Sequence, residues 1–277
     1  MSDPIQKSRP GRIHRARPAR RGLTLTELLV AATIMVMIVG AMSMLAMTVH
    51  SANDHCQGHS LAAQHGRVVL DHLSRNISAA SASEDFPGFL VITEQVGAWK
   101  FPDTLAVWLP DGAAANPDGL PRVCEIVLFT PDPAQANCLM RVRQASNTAL
   151  VPAASNQSAW RTLAASLRSD PTAERVTLTD RLRTGALVEG GGAANVRGCV
   201  RFLQLMAPSD AEWTDYGEGD LDWDELAWPL DAYSSTTGMR RVVCQIELQI
   251  LSGDSETAAA TAVPFFGSAG IHYDLTR

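Results

Sequence analysis

The chain has 277 residues, 46% of them hydrophobic and 19% charged, with a formal net charge of −6. That length is enough for one sizeable core with room for a second small lobe. The charge is unevenly laid out: residues 1–22 hold seven of the 23 basic residues and one acid, Asp3, for a net +6, while the other 255 residues carry 16 basic against 28 acidic groups, near −12. Phosphate contacts need a basic face, so nucleic acid is not expected as a partner of the acidic part.

The first element follows the basic stretch directly. Arg21-Gly22-Leu23-Thr24-Leu25-Thr26-Glu27-Leu28-Leu29-Val30 opens an uncharged run over 28–49, 22 residues. As a helix that run would cover about 33 Å, enough for a hydrocarbon core of roughly 30 Å. A carboxylate beside it costs free energy, roughly 2.5–3.5 kcal/mol for an acid at the membrane centre and less near an end, so Glu27 needs something to receive it. A secretory signal would have a shorter apolar stretch and a small-residue cleavage site. Arg20-Arg21 suits a twin-arginine export signal, but the glutamate six residues on suits it poorly. An ordinary anchor explains the length of the run but not Gly22 with Glu27.

This arrangement resembles the N-terminus of type IV prepilins and type II secretion pseudopilins, and the likeness covers Arg21 to about Val49. The resemblance implies a leader, 1–22, removed by a prepilin peptidase after Gly22. Leu23 then becomes the first mature residue, with N-methylation, although the family usually has phenylalanine there. It also implies that Glu27, fifth in the mature chain, neutralises the α-amine of a neighbouring subunit and so sets axial register. Glu27 as a tolerated interfacial carboxylate is the competing reading. Positive charge before a span stays cytoplasmic, so the expected location is the inner membrane, single-pass, with the region after Val49 periplasmic or extracytoplasmic.

From Leu23 to about Ala80 there is no proline, and Leu61, Val69, Leu73 and Ile77 fall near one stripe. This predicts a single helix over 23–80, loosened at Gly58 or Gly66, where glycine costs about 1 kcal/mol against alanine. Strands separated by Pro/Gly/Asp turns follow, at 89–93, 104–109, 122–130, 138–144, 175–182, 200–206 and 241–251. In the last, Cys244, Ile246, Leu248 and Ile250 alternate with Val243, Gln245, Glu247 and Gln249, giving one buried and one wet face. Gly190-Gly191-Gly192-Ala193-Ala194 reads as a flexible loop and 210–233 as an acidic, tryptophan-containing excursion. The expected fold is α+β: a long N-terminal helix forming a membrane stalk, then a β-rich head over 81–277, pilin-like. Gln64 to Ile77 and the order of elements resemble the larger minor subunits, the W-type minor pilins and J-type pseudopilins.

Five of the seven histidines fall within 50–72, and His55 and His59 share a helix face at a spacing metals can use, though a full ligand set is missing. Asp220, Asp222 and Asp224 alternate as calcium ligands do, with Asp231 at the twelfth place, but Glu225 stands where such a loop needs glycine. They are weak calcium candidates, and no other cofactor is expected. Cys124, Cys138, Cys199 and Cys244 are candidate disulfide cysteines in an oxidising compartment, or buried thiols. A hairpin over 130–138 would set Cys124 and Cys138 about 20 Å apart, too far to bridge. Trp213, Trp223 and Trp228 form either a contact surface or a patch packed back onto the sheet. No nucleophile elbow, P-loop or paired-carboxylate motif supports an enzyme. The expectation is a low-copy minor pilin or pseudopilin that initiates or tips a type II secretion or type IV pilus filament, with other pilin subunits as partners. An anchored extracytoplasmic binding protein with a pilin-like export signal is the alternative.

Overall fold

The computed structural model describes residues 22–187, 195–253 and 262–277. Residues 1–21, most of the expected leader, and the glycine run 190–194 lie outside the described residues. The chain divides into two units, one ending at Asn53 and one from Asp54 to Arg277. The architecture is mixed α and β: one long apolar N-terminal helix, then a region rich in antiparallel sheet.

Helix α1 runs unbroken over Leu25–Ser78, 54 residues. The expected loosening at Gly58 or Gly66 does not occur. These glycines are seats for close neighbours instead. A Cβ at Gly66 would lie 2.5 Å from the Phe265 ring, and one at Gly58 would lie 2.1 Å from the carbonyl oxygen of Ser252. Within the second unit α1 buries Ala62, Gly66, Val69, Leu73 and Ile77, a stripe at helical spacing. Leu61, expected on that stripe, is 37% exposed, and Ala62 takes its place.

Five strands form an antiparallel meander: β1 (Phe89–Val96), β2 (Trp99–Trp108), β3 (Ile126–Pro131), β4 (Leu139–Arg143) and β5 (Glu174–Thr179). Alternation along these strands feeds two cores. Phe89, Leu105, Val107, Phe129 and Leu139 face α1, whereas Leu90, Ala106, Trp108, Leu128 and Val142 face the other way. That second face is covered by α2 (Gln157–Ser169), through Trp160, Ala164 and Leu167. No helix is expected from the sequence between the strands at 138–144 and 175–182, where α2 stands. A short hairpin, β6 (Thr184–Leu187) with β7 (Asn195–Gly198), was also unanticipated.

A three-stranded antiparallel sheet, ordered β10-β9-β8, closes the first core with β8 (Val200–Ala207), β9 (Thr237–Leu251) and β10 (Ala262–Thr276). Strand β9 extends the expected 241–251 strand by four residues, and its Cys244, Ile246, Leu248 and Ile250 are buried as the alternation required. The two sheets meet through a side chain. Gln204 of β8 accepts from Val91 N–H at 3.2 Å and donates to the Phe89 carbonyl at 3.0 Å, standing in for strand pairing. Residues 122–125 are not strand: Val123–Glu125 is a 3-10 turn that leads into β3.

Candidate functional site

The N-terminal stretch of α1 carries the features to which the sequence assigned function. Gly22 and Leu23 precede the helix, exposed and outside any regular element. From Leu25 to Val49 the large apolar side chains are all exposed, on every side of the helix. This helix is long and apolar enough to cross a membrane. Its three hydroxyl groups within 28–49 are satisfied internally: Thr33 donates to the Leu29 carbonyl at 2.7 Å, Ser43 to Val39 at 2.9 Å and Thr48 to Met44 at 2.9 Å. A segment without access to water requires such internal pairing.

Glu27 has a local partner that the sequence reading missed. Its Oε2 accepts from the backbone N–H of Thr24 at 2.9 Å and from the Thr24 hydroxyl at 2.9 Å, and Thr24 Oγ1 accepts from Glu27 N–H at 3.3 Å. This is a capping box, the reciprocal pairing of an N-cap threonine with a glutamate three residues on. It ties up orphan N–H groups at the start of the helix. All these bonds to the carboxylate fall on Oε2. The Thr-x-x-Glu spacing was legible in the sequence.

The acidic segment is ordered. Helix α3 (Asp210–Glu218) starts on a second capping box, Ser209 with Glu212, and stops at Gly219, whose φ of 86° is the left-handed conformation glycine permits. Trp223 and Trp228 pack inward with Leu226 and Leu275, and Trp228 fills the space over Gly238. Their indole N–H groups donate at 2.7 Å to the Ser234 and Trp223 carbonyls respectively. Of the two readings of this segment, packing back is the one observed for Trp223 and Trp228, whereas Trp213 is half-buried. Asp220, Asp222 and Asp224 are exposed, and Glu225 accepts from the Asp222 N–H at 2.9 Å. Among the described residues no group of three or more His, Cys, Asp or Glu side chains is placed to hold a metal ion.

The cysteines are free thiols. The β3–β4 hairpin separates Cys138, whose carbonyl accepts from Asp132 N–H at 2.9 Å, from Cys124, whose N–H donates to Asn147 at 2.8 Å, at opposite ends of the ladder. Burial pushes the Cys244 thiol up to about 12, and it raises those of Cys138 and Cys199 as well. Burial thus disfavours the thiolate, the reactive form, at all three.

A partly buried charge cluster went unread in the sequence because its carboxylates and its guanidiniums lie far apart in it. Arg197 of β7 reaches Glu94 at 3.2 Å and Asp103 at 3.1 Å, and Arg168 of α2 also pairs with Glu94. Burial acts to raise the Glu94 carboxyl, but the two guanidiniums outweigh it and hold it below its usual range; burial leaves Asp103 raised. The cluster lines a cavity of about 270 Å³ beside Pro131, Asp132 and Ala136. Its opposite charges are spent on one another, so its evident role is to fasten the β6–β7 hairpin to the five-stranded sheet. Comparison of the chain with family models, with characterised proteins and with solved structures gives no match in any of the three.

Proposed function

We propose that this chain is a minor pilin or pseudopilin, a low-copy structural subunit that initiates or tips a type II secretion or type IV pilus filament. The observation that carries the reading is the start of α1. A capped glutamate stands at the threshold of an apolar helix that is exposed on all sides and has its hydroxyls paired internally. A prepilin peptidase would cut between Gly22 and Leu23, leaving the capping box whole because Thr24 keeps its peptide N–H. The exposed apolar side chains would first face lipid and then the helices of neighbouring subunits. Gly40, Ala41, Ser43 and Ala46 are small enough for close approach. Glu27 would offer its charge to a neighbour's α-amine.

Low copy number follows from the long segments over 112–121 and 210–233. A repeated shaft subunit would have to accommodate them at every lateral contact. The test is quantitative mass spectrometry of purified filaments together with deletion of the gene. Trace abundance with failed assembly is expected; abundance near that of the shaft subunit would refute the minor role. Absence from filaments despite stable expression would favour the anchored binding protein.

A further inference from the structure

We propose that His55 and His59 form a chelate for a divalent transition-metal ion such as zinc on the outer surface of α1. Of the five histidines in this helix, only these two stand four residues apart, the spacing that places side chains one above the other on a helix face. Their rings lie edge to face with centroids 4.5 Å apart and planes at 64°. Two imidazoles holding one ion at about 2.0–2.1 Å, at square or tetrahedral angles, would have centroids about 4.5–5.2 Å apart. The centroid separation thus already falls within the range such a chelate needs. Imidazole nitrogens suit zinc, copper and nickel rather than calcium or magnesium.

No third side chain joins them among the described residues, so the ion keeps water in its remaining positions. The pair lies beyond the uncharged run, which ends at Val49, and His55 is exposed while His59 is half-buried. Beside the pair, Gly58 touches the backbone of Ser252 so closely that a Cβ would not fit. A bound ion would staple the turn that makes this contact.

The experiment is calorimetric titration of Zn²⁺ into the full chain in detergent, carried without a polyhistidine tag, with amide exchange of residues 54–60 followed in parallel. The expected result is a saturable site, lost in His55→Ala and in His59→Ala and kept in His65→Ala, with zinc slowing exchange over 54–60 only where the site survives. His55 is exposed, so its variant removes the ligand without opening the core. Zinc binding by His55→Ala equal to that of the unaltered chain would overturn the proposal, as would absence of saturable binding or of zinc-dependent protection.

Discussion

Glu27 holds two roles that single substitutions can separate. As the third helical residue, reaching back in the capping box, it satisfies Thr24. As a charge it would pair with a neighbour's amine. Glu27→Gln keeps the cap, because glutamine serves equally in a capping box, but removes the charge; Glu27→Val removes both. If the charge matters, both variants are cleaved and inserted normally and both enter filaments poorly, which quantitative mass spectrometry would read. Normal incorporation of Glu27→Gln with failure of Glu27→Val would assign the residue to the cap alone. His72 makes a separate prediction. Burial first, then Arg141 and Arg75, lowers its pKa from 6.5, so the folded state prefers the neutral ring. The stability this gives is full above pH 6.5 and is lost as pH falls from 6.5 toward the depressed folded value. The denaturation midpoint should drop between pH 7.5 and 5.5, less steeply in His72→Gln; equal slopes would contradict this.

At the scale of elements, legibility followed the range of the signal. Strand β9 was plain because its alternation is local and one face is wet. Strand β10 was missed: its Val263-Pro264-Phe265-Phe266-Gly267-Ser268-Ala269-Gly270 stretch has the composition of a loop. The structure gives the reason. Gly267 faces Leu70 of α1, with a Cβ there only 3.1 Å from it, and Pro264 is tolerated on an edge strand. Helix α2 was missed although Asn156 caps it and Trp160, Ala164 and Leu167 keep helical spacing; the polar residues before it masked the change of period. Likewise Gly58 and Gly66 read as weak points because their partners, Ser252 and Phe265, are remote in sequence. Gly66→Ala tests the seat. Alanine would gain about 1 kcal/mol in helix propensity but overpack against Phe265, for a net loss of about 1–2 kcal/mol. Thermal unfolding of the detergent-solubilised chain would show it, and unchanged or raised stability would contradict it.

For the whole molecule, the α+β class and the long apolar helix were legible from composition, charge layout and period. The pairing of two sheets through Gln204 and the cluster of Glu94, Asp103, Arg168 and Arg197 were not, since each joins residues more than 60 positions apart. The functional account rests on one covalent event at the start of the chain. Intact-mass analysis of the chain from membrane fractions tests it most directly. The account predicts a mature chain beginning at Leu23, unmodified or one methyl heavier. A chain that keeps its arginine-rich leader, or one cut beyond Val39, would contradict it.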